Sequence, residues 1–403
     1  MPRLDNTVCV IGFGYVGLTM TAAYLSAGVS VIGIDTDSNR VRQIETGDVD
    51  LPEIERQEVA MAVVDGRLRI NPPSAREVDG FLVCVPPGNG EHRRTLNGAL
   101  DYVQDNLCCG HVVILVSTLF PGTTRYWANE LQHGTGLVAG QDFFIAHSPE
   151  RVNIGDKRFR VSNTPRLIGG YSPHCARVAM LLLSPICDQL VPVSSPEVAE
   201  FAKLLENTYR LVNVVLTNEI ADVVRRCKVN PYEVVAAAAT KPFGFEPFWP
   251  SVGAGGHCIP IVPKYLVEFA KQHGADIPLV DKALAANDAR PRRIAEEIAS
   301  TCIGKILIVG VAYKADVRDA RRSMAFQVVE ELRSLGVVAD FYDPNIAEVN
   351  GVTGVAIDVL PDMSYNVAII LVKHSCLPWK NVGRIAHQII DLCGATFTGL
   401  ERN

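Results

Sequence analysis

Cys258 lies in Gly253-Ala254-Gly255-Gly256-His257-Cys258-Ile259-Pro260, a glycine-rich turn where bare backbone can approach a bulky ligand. The following Pro263-Lys264-Tyr265-Leu266 predicts a helix with proline in its first turn. The thiol therefore stands just ahead of a helix N-terminus, whose partial positive charge favours thiolate. Such a cysteine is a candidate nucleophile if the chain also supplies a base and a redox cofactor; otherwise it is a small hydrophobe in a turn. Lys203 and Asn207 are four apart on a predicted helix and share one face, which either meets solvent or projects into a site. Thr118, in Ser117-Thr118, and Glu150, in His147-Ser148-Pro149-Glu150, each follow a predicted strand. They are the polar members of one crevice, unless Thr118 only caps a turn and Glu150 is a solvated loop acid.

The cofactor signal is at the N-terminus. Thr7 to Ile11 is a short apolar strand, followed by Gly12-Phe13-Gly14-Tyr15-Val16-Gly17 and a helical pattern ending at Gly28. Ser30 to Ile34 is a second strand, ending in Asp35 at the offset where an acid accepts ribose hydroxyls. Strand, glycine turn, helix and acid occur in the order of a dinucleotide site, and no arginine adjoins Asp35-Thr36-Asp37 to take a 2′-phosphate, so NAD is expected. Further strands are predicted at 80–85, 112–116 and 143–146, with Pro86-Pro87-Gly88 joining Thr118 and Glu150 outside their carboxyl ends. Arg93 and Arg94, in the loop after Pro86-Pro87, read as surface charges.

A helix from Ser195-Pro196-Glu197 to about Cys227 has a capping hydroxyl, proline and an acid at its start. Its length suits a spacer between domains and a dimer surface. Asn230-Pro231-Tyr232-Glu233 opens another helix, and an aromatic, proline-rich loop leads from it to the cysteine turn. Lys305 to Gly310, Phe326 to Leu335 and Val337 to Tyr342 repeat strand, helix, strand without the glycine fingerprint. Between them Lys314-Ala315-Asp316-Val317-Arg318-Asp319-Ala320-Arg321-Arg322-Ser323 places cations where a pyrophosphate could be neutralised. The fold expected is α/β: a Rossmann domain over 1–195, a central helical domain with Cys258 over 196–300, and a second Rossmann-like domain over 301–403.

The 403 residues carry a formal net charge of -6, with no basic block, so neither nucleic acid nor an acidic membrane surface is an expected partner. The 11 cysteines contain no C-x-x-C pair, which argues against a structural metal or disulfide framework, and their odd number fits a reducing compartment. No apolar run approaches the roughly 18 to 20 residues of a membrane span. A cytoplasmic protein is expected.

Taken in order, these motifs resemble the nucleotide-sugar 6-dehydrogenases, the family of UDP-glucose and GDP-mannose dehydrogenases. The matches are Gly12 to Gly17, Cys84-Val85-Pro86, Ser117-Thr118 with Pro121-Gly122-Thr123-Thr124, Ser148-Pro149-Glu150-Arg151-Val152, Lys203 with Asn207, Gly255-Gly256-His257-Cys258-Ile259-Pro260, and Lys314 through Asp319 to Arg321. The Ser-Pro-Glu-Arg-Val and Gly-Gly-His-Cys-Ile-Pro forms are similar to the branch acting on UDP-N-acetylhexosamines. The resemblance implies NAD-dependent oxidation of a primary alcohol to a carboxylate, with Cys258 carrying a thiohemiacetal and then a thioester. It implies Lys203 and Asn207 at the C6 oxygen, Glu150 as acid/base and Thr118 positioning water or nicotinamide. Gly12, Gly14, Tyr15, Val16, Gly17, Asp35, Val85, Pro86, Thr118 and Arg321 would meet the cofactor. Glu150, Arg151, Lys203, Asn207, Gly255, Gly256, His257 and Lys314 would meet a UDP-sugar.

The chain departs from this pattern twice. Val262 stands where the family commonly carries an aspartate that orients the hydrolytic water, and Arg321-Arg322-Ser323-Met324 stands where a glutamate and a proline are usual. Two other readings follow: a two-electron enzyme that stops at an aldehyde or oxidises a secondary hydroxyl, and a degenerate nucleotide-sugar binding protein.

Overall fold

A computed structural model describes residues 6–49, 51, 53–86, 91–152, 158–256 and 258–395, side chains excepted at 91–93. The chain divides into two compact units, Met1–Leu204 and Leu205–Asn403. In the first, β1 (Thr7–Ile11), α1 (Tyr15–Ser26), β2 (Ser30–Ile34), α2 (Ser38–Glu45), α3 (Glu53–Asp65) and β3 (Leu68–Ile70) form one half of a doubly wound sheet. They are followed by β4 (Gly80–Val83), α4 (Glu91–Asn106), β5 (Val112–Leu115), α5 (Thr123–Thr135), β6 (Phe144–His147), β7 (Arg166–Gly170), α6 (Pro173–Leu183) and β8 (Leu190–Val193). The sheet order is β3-β2-β1-β4-β5-β6-β7-β8, parallel throughout except at β6 and β7. The order reverses beside β1, which places the glycine turn at the switch point where such sheets bind ligands. Because successive side chains of a strand point to opposite faces, Val8 and Val10 enter one apolar layer with Leu18 and Leu182, and Cys9 and Ile11 another with Leu100 and Leu131.

α7 (Pro196–Arg226) begins in the first unit and continues into the second. The second unit adds α8 (Pro231–Ala238), α9 (Val262–Gln272) and α10 (Pro278–Thr301). It then forms β9 (Ile306–Val309), α11 (Met324–Ser334), β10 (Ala339–Tyr342), the short ribbon of β11 (Glu348–Val349) and β12 (Val352–Thr353), β13 (Tyr365–Ile370), α12 (Trp379–Ile385) and β14 (Ala386–Asp391). The second sheet is parallel, in the order β10-β9-β13-β14, and is also buried on both faces, Ile306 and Ile308 on one and Leu307 and Val309 on the other. The fold is therefore α/β with two Rossmann-like sheets. The expected strand Phe143–Ala146 is observed as Phe144–His147, and the helix expected from Phe326 starts at Met324, where Ser323 caps it by accepting the Phe326 N–H at 3.2 Å. Arg93 and Arg94 lie in α4, not in a loop; Arg94 is exposed and the Arg93 side chain is outside the described residues.

Glu200, in the first turns of α7, is fully buried, and its carboxylate caps α5. It accepts the Gly122 N–H at 2.7 Å, the Thr124 N–H at 2.9 Å and the Thr124 hydroxyl at 2.6 Å. Burial raises its pKa, and these hydrogen bonds only partly oppose that. Glu200→Gln turns an N–H donor toward one of these donors, so we expect a loss of about 1 to 3 kcal/mol of stability, the cost of leaving a buried donor unmatched, measured by urea unfolding at neutral pH.

Candidate active site

Three glycines shape the turn after β1. Gly12 is left-handed (φ 92), and a Cβ there would lie 2.8 Å from Val85 Cγ1; a Cβ on Gly17 would lie 1.9 Å from the Gly12 carbonyl oxygen, so α1 packs directly on the turn. Gly14, by contrast, has open space where its Cβ would be, and as the N-cap of α1 it offers no side-chain acceptor. The start of α1 thus stands beside an open approach, which fits a dinucleotide pyrophosphate. Asp35 is half-buried at the end of β2. Its Oδ2 accepts the Phe13 N–H at 2.6 Å and its Oδ1 the Asp37 N–H at 2.9 Å. Val85 is tied to the next strand, its carbonyl accepting the Ser117 hydroxyl, and Thr118 beside it is half-buried. Pro86 is exposed; Pro87 and Gly88 lie outside the described residues.

Glu150 is held as an anion. Its Oε2 meets Arg166 at 2.5 Å, and its Oε1 accepts the Arg151 and Val152 N–H groups at 2.9 and 2.7 Å. Burial would raise its pKa, but Arg166 and these donors outweigh burial and bring it below the ordinary carboxylate range. Arg151 itself donates to the Pro165 carbonyl at 2.8 Å. At the end of β6, His147 is fully buried with Nδ1 2.8 Å from the Leu115 carbonyl; burial, aided by the charge of Lys203, lowers its pKa to about 3. It is a neutral imidazole whose Nε2 finds no partner among the described residues. Lys203 is half-buried, with no carboxylate paired to it among the described residues. Four residues further along α7, Asn207 is buried with Nδ2 also without a partner there.

In the second unit Cys258 is exposed, and the turn before it is fastened from elsewhere in the sequence. Asn287, buried in α10, accepts the Ala254 N–H at 2.8 Å and donates to the Ala254 carbonyl at 3.0 Å. Arg290, one turn on, donates to the Ser251 carbonyl at 2.9 Å and pairs with Asp222 of α7 at 2.9 Å, and Asn218 accepts the Ser251 N–H at 2.8 Å. Gly256 (φ 83) lies under the Tyr313 ring, 2.6 Å from where a Cβ would be. The Cys258 carbonyl accepts the Val262 N–H at 3.0 Å, so the thiol is one turn ahead of α9. Val262 is buried at 4% exposure, so the turn has an apolar side chain at that point. Lys314 is half-buried; Arg321 is exposed and forked onto Asp319 at 2.7 Å; His257 is outside the described residues.

Sequence motifs alone did not indicate Arg166, Asn287, Arg290 or the pair formed by Asp343 and His374. Asp343 Oδ2 accepts the Val311 and Ala312 N–H groups at 2.8 and 3.0 Å and meets His374 Nε2 at 3.0 Å. His374 Nδ1 accepts from the Asp316 N–H at 3.0 Å, which pins the loop carrying Lys314. A strand ending in Asp343-Pro344 was a usable signal for the acid, since Asp35 stands likewise at the end of β2.

The fold and turn define an NAD-dependent dehydrogenase. Comparison with known proteins gives its family: the chain matches the NAD binding domain of the UDP-glucose/GDP-mannose dehydrogenase family over residues 6–186, its central domain over 197–289 and its UDP binding domain over 307–392, and it belongs to that family. It is similar to UDP-N-acetyl-D-mannosamine dehydrogenase of Methanocaldococcus jannaschii, 32% identical over 355 residues, covering 84% of this chain and 79% of the relative. It is 29% identical over 396 residues to UDP-N-acetyl-D-glucosamine 6-dehydrogenase of Pseudomonas aeruginosa, covering 94% and 92%. Among solved structures, UDP-D-ManNAc dehydrogenase of Pyrococcus horikoshii superposes with a TM-score of 0.84 at 29% identity, covering 98% of this chain and 96% of that one. Among the described residues no helix is long and apolar enough to cross a membrane.

The ion pair of Glu150 and Arg166 sets a pH-dependent test. A carboxylate with a depressed folded pKa contributes stability above its unfolded value of about 4.3, lost as pH falls through the depressed value. In Arg166→Met burial outweighs the two backbone donors that remain, the Glu150 pKa rises, and the sign reverses: stability is lost as pH rises. The deficit of Arg166→Met against wild type should be small in acid and grow to about 3 to 5 kcal/mol near neutral pH. Adding Glu150→Gln should remove that pH dependence in urea unfolding.

Proposed function

We propose that the protein oxidises the C6 alcohol of a UDP-N-acetylhexosamine to the uronic acid in two steps that use NAD. The observation that carries this reading is the exposed Cys258 on a bare turn locked by Asn287 and Arg290, because a thiol made accessible at that structural cost suits a covalent role. The names of the relatives support the N-acetylhexosamine class. The domain division proposed is NAD binding over 1–195, a central domain with the thiol over 196–300, and UDP-sugar binding over 301–403, where Lys314 and Arg321 serve the phosphates and the cofactor.

NAD, when bound, supplies the acceptor for the hydride released at each oxidation. Removal of two electrons from the alcohol gives an aldehyde. Cys258 Sγ then bonds to C6, while the Lys203 ammonium and Asn207 amide donate to the C6 oxygen and stabilise its growing negative charge. Oxidation of this thiohemiacetal leaves a thioester. Water adds at C6, the bond from Sγ breaks, and the carboxylate and the thiol are released. Glu150, an anion fixed by Arg166, serves as acceptor for the proton of that water, and Thr118 positions it. Arg151, Gly255, Gly256 and His257 complete the sugar contacts in this reading.

The burial of Val262 favours one second reading, in which the thioester persists or the reaction stops at the aldehyde, because no carboxylate stands at that point of the turn to direct water. NADH formed per sugar decides between them, with mass analysis of product and protein for UDP-N-acetylmannosamine, UDP-N-acetylglucosamine, UDP-glucose and GDP-mannose. We expect two NADH and a uronic acid, and at least a hundredfold loss of that turnover in Cys258→Ser. One NADH per sugar, unaffected by Cys258→Ser, would establish a two-electron enzyme; tight binding with no NADH would establish a binding protein.

We also propose a homodimer in the cytoplasm, the compartment that suits eleven free cysteines. Leu205, Tyr209, Leu216, Ile220 and Val223 form an exposed apolar stripe at helical spacing on α7, between 48% and 65% exposed. Leu216→Asp with Ile220→Asp should convert a dimer to a monomer in sedimentation analysis; a wild-type monomer would exclude the dimer.

A further inference from the structure

Arg322 occupies the left-handed region (φ 54), which a branched, bulky or charged residue seldom adopts without being held there. What holds it is the cap of α11: Ser323 must be extended to bring its hydroxyl to the Phe326 N–H. The resulting turn directs the Arg322 carbonyl at the Gly256 N–H, 3.3 Å away, and a Cβ on Gly255 would lie 3.0 Å from the same oxygen. The Arg322 backbone is therefore packed against the two glycines that precede His257 and Cys258. Its side chain is exposed and, among the described residues, no carboxylate pairs with it.

The charged and titratable groups facing the cysteine turn come from three elements, α10 contributing Arg290, whose guanidinium is paired with Asp222. The loop before α11 contributes Tyr313, over Gly256, and Arg322. α9 contributes Tyr265 and, one turn on, Glu268. Burial raises the pKa of the Tyr265 phenol, Arg322 opposes the rise, and Cys258 and Glu268 add to it. The neighbouring cations are engaged elsewhere, Arg321 with Asp319 and Lys264 with Asp288. Arg322, with its backbone against the turn and no carboxylate paired to it among the described residues, is a cation able to act on the thiol.

We propose that Arg322 is a positioning residue for Cys258, its guanidinium stabilising the thiolate by charge from a backbone position fixed against Gly255 and Gly256. The inference rests on the reading of Cys258 as the nucleophile, and deepens it by naming a charge that supports its thiolate.

The test is peptide-resolved alkylation of Cys258 by iodoacetamide in the full-length protein, from about pH 5.5 to about pH 10, spanning the ordinary thiol value near 8.5. Arg322→Gly removes the charge and suits the left-handed backbone, so it keeps the fold; Arg322→Lys keeps the charge; Arg322→Glu reverses it. The midpoint should rise by about half to one unit in Arg322→Gly, further in Arg322→Glu, and little in Arg322→Lys, with the differences shrinking in about 1 M salt. Wild-type midpoints in both Arg322→Gly and Arg322→Glu would overturn the proposal. So would a shift in Arg322→Lys equal to that in Arg322→Gly and insensitive to salt, since that marks a structural effect alone. Alkylation needs no substrate, so failure of the four-electron reading appears separately, in the NADH count of the wild type.

Discussion

At the carboxyl end of β2 and again at that of β10, an aspartate folds back and accepts backbone N–H groups from the turn after the neighbouring strand. Asp35 takes Phe13, and Asp343 takes Val311 and Ala312. This interaction is the constraint on which the ligand-facing surfaces depend. A turn that must present bare N–H groups to an anion cannot be held by its own side chains, since those would fill the space the ligand needs. Anchoring comes from a carboxylate one strand away. In the second unit burial raises the Asp343 pKa, but the hydrogen bond from His374 and the backbone donors outweigh it, so the anchor stays ionised.

The cysteine turn follows the same logic with other groups. Gly253, Gly255 and Gly256 carry no side chain and Ala254 only a methyl, so the turn cannot hold itself, and Asn287 and Arg290 of α10 supply the hydrogen bonds. Asn287 satisfies both the N–H and the carbonyl of Ala254, each of which would otherwise be buried without a partner. Arg290 is itself held by Asp222 of α7. A rigid frame around a bare turn leaves Cys258 exposed while its surroundings are fixed.

Charge at and beyond the end of β6 is arranged so that Glu150 and His147 each have one state near neutral pH. Glu150 is an anion because Arg166 compensates its burial, whereas His147 is neutral because burial and Lys203 act in the same direction. The Glu150 proposed to act on water is therefore a permanent acceptor, and His147 is a neutral imidazole whose Nδ1 is fixed on the Leu115 carbonyl.

Local sequence determined the elements that depend on neighbours along the chain. Strand, glycine turn, α1 and Asp35 were legible because a short apolar run, a turn needing glycine and a helical repeat are all properties of adjacent residues. The start of α7 at Pro196, the Asn230 cap of α8 and the proline in the first turn of α9 were legible for the same reason. The tertiary structure alone decided which distant side chains hold those turns. α10 was not foreseen, in part because Pro291 lies inside it and reads as a helix breaker, yet it carries the Asn287 and Arg290 that fix the cysteine turn. Arg94 was read as a loop residue because the glycines and prolines before it conceal the start of α4. Arg166 had no motif of its own, and its partner is sixteen residues away across antiparallel strands. Such pairings are set by how sheets and helices stack, which brings together groups that no local pattern relates.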